Sequence, residues 1–162
     1  MTERAEELLD GSIFGPESPC FGCAPSHPIG FHLSFVKKGE AIETTFTPGT
    51  QYQGPPGIMH GGLVTALADE LAAWAIIGLK GQFGFTTSIE ARLAGAVRVG
   101  LPLVGTARIT KDLRRIVEVE TVLAQGGADV YTARFKFVVL DKAGAERLLG
   151  GPLPEAWARF AR

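Results

Sequence analysis

The longest unbroken apolar pattern in the chain is MHGGLVTALADELAAWAIIGL, from Met59 to Leu79. Its length and freedom from proline predict one long helix, and because apolar side chains point in nearly every direction around the axis, the helix is predicted to be covered on most sides. Gly54-Pro-Pro-Gly57 breaks the chain before it, and Gly78 and Gly81 end the pattern after it. Elsewhere the pattern has period two. Residues 29–36 and 41–47 alternate around a Lys37-Lys38-Gly39-Glu40 turn, and Pro48 stops the second run. After the helix come four further alternating runs, at 83–93, 101–110, 114–124 and 128–140, with Gly126-Gly127 marking a hairpin between the last two. The connections are too short for parallel crossovers. The chain is therefore predicted to be α+β, with an antiparallel sheet of about six strands wrapped around one long central helix. Such a sheet leaves an edge strand able to pair with a second copy, which predicts a dimer.

The ends of the chain carry weaker patterns. Thr2 to Leu9 reads as a short N-terminal helix closed by Asp10-Gly11, followed by a Cys-, Pro- and Gly-rich loop to Pro28. Residues 150–162 form an extension in which 155–160 have the pattern of a short amphipathic helix. Residues 1–162 are read as one domain, since 162 residues with 46% hydrophobic content suffice for a single core.

Charge narrows the partners. Sixteen basic and seventeen acidic residues give a net charge of -1, which creates no field for nucleic acid or a membrane surface, so a small-molecule partner is expected. The N-terminus has no charged-then-apolar leader pattern, and a cytoplasmic location is the expectation. The central helix is long enough to span a bilayer, but Asp69 and Glu70 at its middle would each cost about 2.5–3.5 kcal/mol there, which argues for a buried core helix. Cys20-Phe-Gly-Cys23 with His27 and His32 suggests a four-ligand zinc set. Against it, His32 falls within a strand-like run and no second Cys pair exists, so the expectation is two reduced thiols at a turn and no metal. No redox role is expected either, because the pair does not open a helix after a strand.

Candidate chemistry concentrates at the central helix. His60, Thr65, Asp69 and Glu70 interrupt its apolar pattern, and a buried carboxylate is costly unless it is paired or put to use. Adjacent positions differ by about 100° in direction, so only one of the two acids can face a given site. The small residues Thr65, Ala66, Ala72 and Ala73 lie near Asp69, whereas Leu63, Leu67 and Trp74 accompany Glu70, which reads as a structural ion-pair partner. His60-Gly61-Gly62 with Asp69 nine positions after the histidine, in a helix flanked by strands, resembles the hotdog-fold acyl-CoA thioesterases of the phenylacetate-pathway (PaaI-like) type. The likeness extends over roughly Cys20 to Leu140 in order of elements. It implies a hotdog fold, hydrolysis of an acyl-CoA thioester without a further cofactor, and a homodimer or dimer of dimers with composite active sites at a two-fold interface. The chain departs from the family in reading Leu93-Ala-Gly-Ala96 where relatives often read Phe-Leu-Arg-Pro, which removes a basic residue from the expected CoA site.

The resemblance assigns roles residue by residue. Asp69 is the general base for water, or a nucleophile; the Gly62 amide at the helix start is the oxyanion donor; Gly61 leaves room for the ligand. His60 orients the carbonyl or the loop, or simply caps the helix. Thr86 positions the water, with Thr87 as the alternative because register decides which faces inward. From their place in the loop leading to the helix, Gln51, Tyr52 and Gln53 are read as one wall of a ligand pocket, and the resemblance puts Arg98 among the basic residues available to CoA, with Arg92, Arg108, Lys111, Arg114 and Arg115. Gly62 and Asp69 lie about 10 Å apart along one helical face, too far for both to reach one carbonyl, so they are expected to act from different subunits. Two other classes share this architecture: a non-catalytic acyl-CoA binding module, and a hotdog dehydratase or hydratase.

Overall fold

The computed structural model describes residues 6–162. Gly61–Lys80 form the central helix α1, capped at its start by His60 and at its end by Gly81, whose left-handed φ of 64° is the conformation glycine adopts most easily. Seven strands surround it: β1 (Glu7–Asp10), β2 (Ser34–Lys38), β3 (Ala41–Phe46), β4 (Gly84–Leu93), β5 (Leu103–Asp112), β6 (Ile116–Gln125) and β7 (Ala128–Val139). They form one antiparallel sheet in the order β1-β2-β3-β5-β6-β7-β4, which is the hotdog arrangement. Two helices, α2 (Lys142–Leu149) and α3 (Glu155–Ala158), follow the last strand.

The inward pattern of the strands closes on the helix. Leu67, Leu71, Trp74 and Ile76 have no exposed surface, and the Trp74 indole stacks on Phe35 of β2 with ring centroids 4.6 Å apart. Gly105 of β5 lets the sheet approach most closely, since a Cβ there would stand 2.6 Å from Leu71 and 2.8 Å from Leu123. By length and hydropathy alone α1 qualifies as a membrane span. The wrapped sheet and the buried face above identify it as the core helix of this domain.

Three local expectations are corrected. The sheet has seven strands because Glu7–Asp10 pair with Ser34–Lys37 of β2, where a helix over Thr2 to Leu9 was expected; residues 1–5 lie outside the described part. Four hydrogen-bonded positions on an open sheet edge, with Leu9 packed near Gly78 of α1, outweigh the modest propensity of a short polar helix. His32 is not in a strand: β2 begins at Ser34, and His32 has φ +54° in a loop, where its Nε2 meets the His27 carbonyl. Helix α2, capped by the Asp141 carboxylate on the Gly144 amide, lies in a stretch given no element from pattern.

Strands β1 and β4 are the sheet edges. β4 is long and bulged, with register shifting between Thr86 and Ser88 so that Thr87 is the extra residue. The bulge keeps Thr86 and Ile89 on the same, helix-facing side although three positions separate them: Thr86, Ile89, Ala91 and Leu93 pair with the buried Phe137, Phe135, Ala133 and Tyr131. Ile89 and Leu93 remain 44% and 52% exposed on that side.

Substituting Gly105→Val tests the closeness of sheet and helix. Overpacking against Leu71 and Leu123 should destabilise the fold by about 1–3 kcal/mol. Calorimetry should show the thermal midpoint falling about 2–4 °C for each kcal/mol.

Candidate active site

The exposed Gly62 and the half-buried Thr65, Ala66, Asp69 and Ala73 share one face of α1, the side that β4 leaves incompletely covered. Asp69 accepts a hydrogen bond from the Thr86 hydroxyl, Oγ1 to Oδ1 at 2.7 Å. Burial raises the Asp69 pKa above the usual carboxylate range, the Thr86 hydrogen bond opposes this, and the neighbouring Glu70 charge adds to it. The result is a carboxylate more basic than a surface aspartate, with its second oxygen free of that bond. Thr87, on the bulge, is exposed and donates to the Lys136 carbonyl instead, so the bulge decides which of the two threonines meets the acid.

At the helix start, His60 is the cap. Its Nδ1 accepts from the Gly62 amide at 3.0 Å, and its backbone carbonyl accepts from Leu63 and Val64. Because Nδ1 is the acceptor, the neutral ring carries its proton on Nε2 and presents a donor outward. The Gly62 amide is thus held by His60 rather than left open. A Cβ on Gly61 would come 3.0 Å from Leu93 of β4, so glycine permits the strand end to lie against the first helical turn.

The loop before α1 is held by its own backbone. The His60 amide donates to the Tyr52 carbonyl, Met59 to Val97, and Gly57 to Gln53 Oε1. Gln53 therefore folds the loop. Tyr52 does not offer its ring to a ligand: it is buried against Phe31 and Phe46, with its hydroxyl donating to the Gly30 carbonyl at 2.6 Å. Arg98 pairs through its backbone with Ile58 and Gln125, which places it beside the start of α1. Arg114 sits at the other end of the helix, where Asp112 meets Lys80.

The ion-pair role expected for Glu70 is not what the contacts show: among the described residues it has no ion-pair partner. Its Oε1 accepts from the Trp74 indole at 3.1 Å and from the Cys20 thiol at 3.3 Å, on the opposite flank of the helix from Thr86. The Cys23 thiol donates in turn to Cys20, which lowers the Cys20 pKa, while the same contact and burial push Cys23 up. His27 and His32 do not join the cysteines as the zinc set required: among the described residues the cluster of potential ligand atoms there is Cys20, Cys23 and Glu70.

Tyr131 was not anticipated. It is fully buried on β7, and its hydroxyl has no partner in hydrogen-bonding geometry among the described residues. Burial raises its pKa, the Thr65 hydroxyl opposes this, and the Asp69 charge adds to it. The strand alternation marks Tyr131 as inward-facing; nothing in the sequence marks its hydroxyl as lacking a partner.

The Asp69 environment has a pH signature of unusual sign for a carboxylate. Its folded pKa lies above the unfolded one, so the native state gains stability on protonation and loses it as pH rises from the unfolded to the folded value. Asp69→Asn, which keeps an acceptor for Thr86, should match or exceed the wild-type thermal midpoint at neutral pH, with the advantage vanishing in acid. A pH series of thermal melts checks it.

Residues 56–130 match the model of the thioesterase superfamily. Among solved structures, a thioesterase superfamily protein aligns with TM-score 0.69 at 22% identity, over 83% of this chain and 67% of its own. A phenylacetic acid degradation-related protein of Ralstonia eutropha aligns with TM-score 0.62 at 21% identity, over 67% and 86%. The smu.793 protein of Streptococcus mutans, bound to acetyl-CoA, aligns with TM-score 0.62 at 19% identity, over 66% and 87%. No curated protein matches the sequence. The matched segment spans the His60–Asp69 motif and strands β4 to β6 and is similar to the thioesterase superfamily, and the likeness to these solved structures shows the hotdog fold.

Proposed function

We propose that the protein is an acyl-CoA thioesterase, hydrolysing the thioester to a free acid and CoA. The observation that carries this reading is the Asp69–Thr86 pair: a half-buried carboxylate of raised pKa, hydrogen-bonded at 2.7 Å, on the open flank of the motif helix. The acetyl-CoA-bound structural neighbour and the similarity of residues 56–130 to the thioesterase superfamily support the substrate class. Asp69 takes a proton from water as the hydroxide attacks the thioester carbon, and when the carbon–sulfur bond breaks the Asp69 carboxyl returns that proton to the leaving thiolate, releasing CoA thiol and the free acid. Thr86 fixes one carboxylate oxygen and leaves the other to the water. The developing oxyanion takes the Gly62 amide from His60 Nδ1, so substrate displaces the imidazole from its capping position. No further cofactor enters this chemistry.

The reading calls for two copies. Helical rise sets Gly62 and Asp69 about 10 Å apart, so one copy supplies the amide and the other the acid. The long β4 edge, with Ile89 and Leu93 exposed beside the small-residue face of α1, supports pairing of that edge with a second copy. Arg98, beside the helix start, is the basic residue best placed for the CoA phosphates, and its removal should raise KM more than it lowers kcat.

Thiol release from a panel of short, medium and aryl acyl-CoAs tests the activity. Asp69→Ala should lower kcat about 10²–10⁴-fold with the fold retained, and Thr86→Val should lower it less. Binding of acyl-CoA with no thiol release from any member would replace catalysis by a binding role, and consumption of an enoyl-CoA would favour a hydratase. Ile89→Glu should shift the chain from dimer to monomer in light scattering and abolish thiol release, although Asp69 is untouched.

A further inference from the structure

The Cys20–Cys23 turn meets an acid fifty residues away in sequence, Glu70. Cys20 Sγ lies 3.0 Å from Cys23 Sγ and 3.3 Å from Glu70 Oε1, and one ligand atom from each of the three residues falls within 4.8 Å of the others. The turn is shaped for this meeting. The Cys23 amide donates to Cys20 Sγ at 3.4 Å and the Ala24 amide to the Cys20 carbonyl at 3.1 Å, which orients the first sulfur. Between the cysteines, a Cβ on Gly22 would stand 2.4 Å from Glu70 Cγ and 2.7 Å from its Oε2, so the loop seats on the carboxylate only because that residue is glycine.

Charge is the unsolved part of this cluster. The adjoining cavity, of about 100 Å³, is lined mainly by apolar groups, among them Phe14, Trp74, Phe83 and Trp157, and among the described residues no basic side chain lines it. Glu70 receives only an indole N–H and a thiol there. A partly buried carboxylate beside two thiols, with no cation, is costly unless a positive charge completes it.

We propose that Cys20, Cys23 and Glu70 bind a zinc ion, with the fourth position open to the Phe14–Trp157 cavity. A C-x2-C pair supplies the soft ligands zinc favours, and three protein ligands with an open position are a known zinc geometry. Each thiol loses its proton on binding, and the thiolates and carboxylate donate lone pairs to the metal. With zinc–sulfur bonds of about 2.3 Å, tetrahedral coordination sets the sulfurs about 3.7 Å apart, so they part by about 0.7 Å from their present 3.0 Å. A disulfide would instead draw them to about 2.05 Å and leave Glu70 facing two sulfurs without a counter-charge. The ion ties the N-terminal loop to the middle of α1, one residue from Asp69 but on the other flank of the helix. The proposed site stands whether or not the protein hydrolyses thioesters.

The test uses the full chain, reduced, stripped with chelator, resupplied with zinc and freed of excess metal by gel filtration. One equivalent of zinc per chain is expected. The cobalt-substituted protein should show the intense visible bands of a tetrahedral ion and a near-ultraviolet sulfur-to-cobalt band, and Cys20→Ser should lose that band. Glu70→Gln should weaken zinc at least about tenfold in chelator competition. Chelator should lower the thermal midpoint of the wild type and leave that of Cys20→Ser unchanged. Substoichiometric zinc in folded, reduced wild type overturns the proposal, as does unchanged affinity in Glu70→Gln. Purification of the chain with the mass of an oxidised pair and unreactive thiols, persisting against reductant, overturns it in favour of a disulfide.

Discussion

A helix that is apolar nearly all the way round has no stable place in water, and the burial of α1 is the constraint on which the rest of this molecule depends. The sheet meets it by wrapping, with Trp74 stacked on Phe35 and Gly105 admitting Leu71 at the closest approach. One flank is left over. There the sheet ends at β4, and the helix surface is built of glycine, alanine, threonine and Asp69. The polar groups of the candidate active site stand where the wrapping is incomplete, because that is where a carboxylate can be partly desolvated without being sealed in.

The two adjacent acids show how strongly helical geometry partitions chemistry. Asp69 and Glu70 differ by one residue and about 100°. One finds a threonine hydroxyl on β4, the other an indole and a thiol beneath the N-terminal loop. Their environments share a helix but not a cavity, so a change at one flank need not disturb the other. The same partition lets the proposed thioesterase chemistry and the proposed zinc site be separate devices on a single element.

His60 links the two ends of the proposed reaction cycle in physical terms. A helix start leaves amides without intrahelical partners, and here the preceding imidazole takes up the Gly62 amide. A helix-start amide already occupied by a displaceable neutral acceptor is protected from adventitious anions yet available to a stronger one. An oxyanion forming on a bound thioester is such an acceptor.

Much of this was legible in the residues. The all-round apolar run from Met59 to Leu79 dictated a buried central helix, the short connections dictated antiparallel pairing, and the hundred-degree step between neighbours required Asp69 and Glu70 to part. His60 before two glycines announced a helix start. Local pattern was silent where long-range partners decide. Whether Glu7–Asp10 coil into a helix or join a sheet depends on the free edge of β2, and a lone polar partner such as the Trp74 indole or the Cys20 thiol for Glu70 leaves no periodic trace. The choice of Thr86 over Thr87 belongs to a bulge, since one extra residue reverses which side chains face the helix. The sequence by itself determined the central helix, strands β2 to β7 and the parting of Asp69 from Glu70, because periodicity and helical angle are local properties of the chain. Only the tertiary structure decided what each acid touches, because those contacts join residues far apart in sequence through a register and a loop path that no local pattern records.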